Sequence, residues 1–370
     1  MSTVALTRGN SRYEAVRSAL DALGPMHLHG RRQVLIKPNL VSVTRQLAST
    51  HVDALRATLD WLRERYDGPI TIGEGSALAS SFEGYRHFGY ESLAATYNVR
   101  FVDLNADERT VPVQTFDHRL QPQTLELSAT AAESDFLISV GPPKTHDFVI
   151  MTAAIKNVVM GTLISRSASH AHGGPIGGLG SLYAAMPAWV KCLPVVDGAR
   201  FVFMRKNGSH KMRIHQSYPL MHLNIFLVAR VVRAHLAVID AWEAMEGEGP
   251  TLGDPVPLHA AIASLDPVAA DAAAARLMGF DPLEIGYLWY AHRAGLGQGD
   301  LRQVQWVGDG DLEALARRFR PHSTYPLQRG WRDPIVETLF ERVTAEPIGA
   351  PGDVSPLSYS ALHNRRENAS

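Results

Sequence analysis

The sequence predicts an α/β protein: a mostly parallel sheet covered by helices on both faces, with an irregular Gly/His-rich insertion and a disordered C-terminal tail. Three observations carry this. Short apolar runs of strand length alternate with longer segments whose apolar residues repeat at helical spacing. Those runs stop at Gly, Pro, Asn or charged residues. The alternation breaks over 165–222 and ends near Ala345, where the chain turns Pro-, Gly- and Ser-rich.

In chain order, the pattern first predicts an opening helix. Ser11 and Glu14 form a capping-box pair, and Tyr13, Val16, Leu20 and Leu23 share one helical face. Val34–Ile36 reads as a short buried strand that stops at Lys37-Pro38-Asn39. Thr50 and Asp53 mark the next helix start, and Val52, Leu55, Leu59 and Leu62 give it an apolar stripe. A second strand, Pro69–Ile72, ends in Gly73-Glu74-Gly75-Ser76, and a helix follows around Tyr90–Tyr97.

The third strand is Val99–Leu104, and residues 105–130 read as a small antiparallel hairpin. Phe136–Val140 is the fourth strand, followed by Lys144, His146 and a helix from near Thr152. Beyond the insertion come Leu236–Ile239, ending at Asp240, then Ala260–Ala263, and Val304–Val307 as a last edge strand. Asp266-Pro267 is an N-cap followed by Pro in the first turn, and Gly279 closes that helix. The expected organisation is one large α/β domain over 1–345, with lobes 1–164 and 223–345 around insertion 165–222, and a tail over 346–370.

Composition narrows the function. The chain has 370 residues, 45% of them hydrophobic, and a net charge of -1. That charge lacks the basic excess of a nucleic-acid-binding protein. The single cysteine, Cys192, rules out an internal disulfide and a Cys-ligated cluster made by this chain alone. No apolar run reaches the roughly 18–20 residues that span a bilayer. The N-terminus lacks a signal-peptide apolar core, so the expected location is cytoplasmic, with no membrane partner.

Ligands of parallel α/β sheets bind beyond the carboxyl ends of the strands. The polar residues at those ends are Lys37 and Asn39, Glu74 and Ser76, Lys144 and His146, and Asp240. Lys156 and Asn157 interrupt an otherwise apolar helix just after the fourth strand. A lone strand-end lysine is more often solvated than functional; Lys156 among Ala, Ile and Val is harder to dismiss, with a snorkelling side chain as the structural alternative. The expected catalytic groups are His146, Glu74, Lys144 and Lys156. Lys37, Asn39, Ser76, Asn157, His215 and Asp240 are the expected binding groups.

GEGS lacks the third glycine of a dinucleotide fingerprint, and no P-loop lysine follows it, so NAD and nucleoside triphosphates are not expected. No cofactor is expected. The acidic loop Met245–Pro255, with Glu246, Glu248 and Asp254, leaves a divalent metal open. His170 and His172 form an H-x-H without a companion ligand, and their flanking glycines favour a mobile lid.

The sequence resembles the DUF362 family. The resemblance rests on VLIKPNLV at 34–41, Thr50-His51, ITIGEGS at 70–76 and FGYESL at 88–93. It continues in DFLISVGPPKTH at 135–146, TAAIKNVVMG at 152–161, LAVIDAWEAMEGEGPTLGDPV at 236–256 and ASLDPVAADAAAARLMGFDP at 263–282. Some members of that family carry a ferredoxin-like segment with cysteine clusters. This chain has none, which puts a redox role in doubt. The resemblance implies a small-molecule enzyme of specialised metabolism.

The expected activity is a lyase-like elimination or proton abstraction on an anionic substrate, a carboxylate, phosphate or sulfate. The alternatives are a metabolite- or metal-binding accessory protein, or a metal-dependent hydrolase. A partner subunit or a homo-oligomer is also open. Tyr287–Tyr290 is a candidate contact, although core is the weightier reading.

Overall fold

The computed structural model describes residues 1–28, 30–77, 79–166, 183, 185–206 and 209–345. His170 and His172 with their proposed lid, and the tail over 346–370, lie outside the described residues.

The strands are β1 (Ser2–Arg8), β2 (Val34–Lys37), β3 (Ile70–Glu74), β4 (Val99–Asp103), β5 (Thr110–Phe116), β6 (Pro122–Ser128), β7 (Phe136–Gly141), β8 (Lys144–His146), β9 (Ile150–Thr152), β10 (Leu236–Glu246), β11 (Asp254–Ser264) and β12 (Val304–Val307). The main sheet runs β12-β1-β11-β10-β7-β2-β3-β4. Every neighbouring pair is parallel except the two that involve β11. β8 pairs with the far end of β10 and with β9. β5 and β6 form the separate antiparallel hairpin expected over 105–130.

Period-two alternation explains how both faces become dry. Ala5, Val34, Ile36, Phe136, Ile138, Val140, Leu236 and Val238 pack on one face with helices α1 (Arg12–Ala22) and α2 (Val52–Arg63). Their neighbours Leu6, Leu35, Leu137, Ala237 and Ile239 pack on the other face. That face is covered by the helices Ala154–Thr162, Tyr218–Val231, Pro267–Leu277 and Gly286–Arg293. Tyr287, Leu288 and Tyr290 are buried there, as core.

Two expectations about elements are corrected. The chain opens with β1, not with a helix; the helix capped by Ser11 follows it. β1 is a seven-residue strand between β11 and β12, and its weak alternation is swamped by the strong helical stripe that follows. Strand β10 also runs past Asp240 to Glu246, and β11 begins at Asp254. The ends of the acidic loop, Met245-Glu246 and Asp254-Pro255, are therefore strand, and residues 247–253 connect them. Asp240 sits in mid-strand, not at a strand end. The helix from Pro267 has its predicted cap, because Asp266 accepts hydrogen bonds from the Val268 and Ala269 amides. Gly279 leaves it at a positive φ of 81°.

Candidate functional site

The parallel register brings the ends of β2, β3 and β7 together, and the candidate site forms there. Lys37 is the last residue of β2 and Glu74 the last of β3. Lys37 Nζ donates to Glu74 Oε2 at 2.8 Å, to Asn157 Oδ1 at 2.7 Å and to the Pro38 carbonyl at 2.9 Å. All three ammonium protons therefore have acceptors. Glu74 is equally committed: it also takes the Leu40 amide at 3.0 Å and the Gly75 amide at 2.8 Å. The pair is buried, which makes its full satisfaction necessary.

From this pair a chain of polar contacts runs outward. Asn39 Nδ2 donates to Asn157 Oδ1 at 3.0 Å, and Asn39 Oδ1 accepts from Lys144 Nζ at 2.6 Å. Lys144 donates its second hydrogen bond to the Ala48 carbonyl at 2.6 Å. Asn157 Nδ2 donates to Ser139 Oγ at 3.0 Å.

The helix Ala154–Thr162 supplies Lys156 and Asn157. Its first amides would be orphaned in the core, but Asp271 accepts from the Ala154 and Ile155 amides at 2.7 and 3.1 Å. Burial pushes the Asp271 carboxyl up to about 7. Gly161, on the same helix, lies so close to Lys37 and Glu74 that a Cβ there would collide with both.

Lys37, Asn39, Glu74, Lys144, Lys156 and Asn157 line a crevice of about 70 Å³ together with Gly161, Met160, Pro250 and Lys211. Its volume suits a carboxylate- or phosphate-sized head group, well below the roughly 300–1,000 Å³ that encloses a whole drug-sized ligand. A roomier, open depression of about 1010 Å³ lies near β12, around Arg276, Asp281, Asp300, Trp306 and Glu313. Its charged groups pair with one another, as in Arg276–Glu313 and Arg302–Asp300. It holds none of the expected site residues.

Six of the ten expected site residues meet in the crevice: Lys37, Asn39, Glu74, Lys144, Lys156 and Asn157. The other four do not line it. His146 is buried beside Asp147, 3.1 Å away, and packs near Phe148. His215 packs edge-on against Phe148 with ring centroids 4.6 Å apart, and burial pulls its pKa down to about 4. Ser76 is buried, its amide donating to Ser81 Oγ. Asp240 is a buried partner of Arg12, at 3.0 Å.

Lys211, from the insertion, is the residue that sequence reasoning missed. Its amine donates to the Met160 carbonyl at 2.7 Å and to the Leu163 carbonyl, closing the helix that carries Lys156. A signal for it existed. Of 36 Lys and Arg residues in the chain, only six are lysine, and four of those six line this crevice.

The amines are poised by burial. Desolvation pulls Lys156 down to about 8 and Lys211 to about 7. Lys144 is driven well below the ordinary lysine range, by burial first and then by the Lys156 charge. Lys37 is also lowered by burial, with Glu74 opposing the shift. Lys156 differs from its neighbours in its contacts: among the described residues it makes no hydrogen bond and no ion pair, although it is only 8% exposed.

The acidic groups considered for a metal are each held by a cation. Glu74 meets Lys37, Asp240 meets Arg12, Glu246 and Asp254 meet Arg320, and Glu248 meets Lys191. Among the described residues, no three His, Cys, Asp or Glu side chains are grouped to hold a metal ion.

The family described as "Domain of unknown function (DUF362)" matches residues 34–276, a span that holds every residue of the Lys37–Glu74–Asn157–Lys144 network. The chain belongs to the DUF362 family. A thylakoid-associated protein of Synechocystis sp. is 24% identical over 306 residues, covering 80% of each chain. The lactate racemase apoprotein of Thermoanaerobacterium thermosaccharolyticum matches 64% of this chain at 17% identity with a TM-score of 0.37. A protein of Thermotoga maritima matches 70% of it at 10% identity with a TM-score of 0.40. The DUF362 chain spans 50% and 56% of the lengths of those two structures. No helix among its described residues is long and apolar enough to cross a membrane.

Proposed function

We propose that this DUF362 protein is an enzyme of small-molecule, specialised metabolism. It would hold the anionic head of its substrate in the lysine crevice and abstract a proton beside that head, in a lyase-like elimination or isomerising step. The observation that carries this reading is Lys156: a buried amine that makes no hydrogen bond or ion pair among the described residues, opening into a crevice whose one carboxylate is already paired. Asp147 acts on Lys156 only from beyond ion-pair distance, and an arriving carboxylate or phosphate would supply a counter-charge in contact.

The roles differ from those expected at the sequence level. Glu74 is a holder of Lys37 and of the Leu40 and Gly75 amides, and His146 does not line the crevice. The proton-moving role passes to Lys144 and Lys156. Lys144 donates two hydrogen bonds, to Asn39 and Ala48, and burial lowers its pKa, so in its neutral form it would keep a lone pair to act as a base. Fixed ammonium groups would stabilise charge as it develops on the substrate. A base of matched pKa would add a factor of about 10²–10⁴.

Two measurements test this. Titration calorimetry of sulfate, phosphate and small carboxylates at pH 8 in two buffers of different ionisation enthalpy should show proton uptake on binding, because an anion favours the charged amine. Deuterium exchange at the carbon beside the anionic group, followed by NMR over a panel of acids, should depend on Lys144 and Lys156. A folded protein that binds no such anion overturns the proposal. Binding without exchange of any acid would leave a metabolite-binding accessory protein instead.

A further inference from the structure

The distribution of lysine is uneven in a way that charge alone does not explain. The chain uses arginine for thirty of its 36 basic residues and lysine for six. Of those six, Lys206 alone is exposed. Lys191 is buried against Glu248, and the other four line the crevice. Arginine binds carboxylates and phosphates in two-pronged fashion and would serve a pure anion site well. It cannot lose its proton, and so cannot act as a nucleophile. A crevice walled by lysines in an arginine-rich chain is suited to amine chemistry.

Resting on the anion-binding reading above, we propose that Lys156 forms an imine with a carbonyl compound bearing a carboxylate or a phosphate, such as a 2-oxo acid or a phosphorylated aldehyde. Among the described residues Lys156 is the crevice lysine with no hydrogen bond to break, whereas Lys37, Lys144 and Lys211 each hold two or three acceptors. Its lowered pKa of about 8 gives it a useful neutral fraction.

In the step itself, the Nζ lone pair forms a bond to the carbonyl carbon and the C=O π pair moves to oxygen. A proton passes from nitrogen to that oxygen. The oxygen then leaves with a second proton as water while the C=N bond forms. Amine and carbonyl give imine and water, with no oxidant or reductant. A proton taken from a neighbouring crevice ammonium converts the imine to an iminium, which draws electrons from the adjacent C–H, and Lys144, a second amine of the crevice, would take that proton.

The test is reductive trapping. The intact protein at pH 8 is incubated with pyruvate, and separately with pyridoxal 5′-phosphate, then reduced with borohydride and mapped by peptide mass spectrometry. The expected result is one adduct per chain on Lys156, at least tenfold above labelling of exposed Lys206. Lys206→Arg should keep the adduct and Lys156→Arg should lose it. Adducts on Lys206 and the N-terminal amine with Lys156 bare overturn the imine. If the same protein still binds sulfate with proton uptake, the anion-site reading survives that failure; if it does not, both fall.

Discussion

Glu74 and Lys37 illustrate how a single residue position is settled by its neighbours. Each is buried, and each is satisfied only because the other, Asn157 and the loop amides around Leu40 and Gly75 converge on it. Lys156 is the exception in the same crevice, and its cost can be measured. Its folded pKa of about 8 lies below the usual unfolded lysine value of about 10.4. Between those values the unfolded chain binds more protons, so stability rises with pH; below about 8 the cost is fully present. Lys156→Met should therefore be more stable than the wild type by roughly 3 kcal/mol at pH 7. The gap should close between pH 8 and about 10.4 in urea titrations. A gap that does not change with pH would mean that Lys156 holds its proton normally when folded.

At the scale of the element, the helix Ala154–Thr162 is what aims the site. It is short, nearly all buried, and has no capping side chain of its own at Ala153. Asp271, from a helix more than a hundred residues later, does that work through two amides. Asp271→Ala should cost roughly 2 kcal/mol, since two buried N–H groups lose their acceptor. It should also weaken anion binding, because Lys156 and Asn157 lie one to two residues beyond those amides. Thermal melts and calorimetry check both effects. A loss of stability with anion affinity untouched would show that the helix keeps its aim without the cap. At the helix's other end Lys211 binds the terminal carbonyls, so the insertion contributes to the site rather than merely lying beside it.

At the scale of the whole molecule, the sheet keeps one direction except at β11, and β1 fills the place between β11 and β12. β1 contributes Val4 and Leu6 to one core and Ala5 to the other. Removing residues 1–8 should therefore expose the edge of β11 and detach β12, not trim a dispensable terminus. We expect the truncated chain to lose its cooperative thermal transition, or to aggregate. A truncated protein with an unchanged melting temperature would contradict this.

Much of this was legible in the residues alone. Apolar runs of strand length, helical stripes and end signals such as Asp266-Pro267 are local, and local periodicity announces them. Lys37, Asn39, Glu74 and Lys144 meet because strand ends in a parallel sheet converge by construction, and the helix after the fourth strand adds Lys156 and Asn157. The rest depended on long-range pairing. Asp240 looked like a strand end only because nothing local says that β10 continues to Glu246, where β11 holds it. Lys211 lies in the short helix His210–Arg213 within a stretch whose pattern reads as irregular, and His146 is buried beside Phe148. Burial, hydrogen-bond satisfaction and the choice of which amine stays free are properties of contacts between distant segments, and only the packed chain sets them.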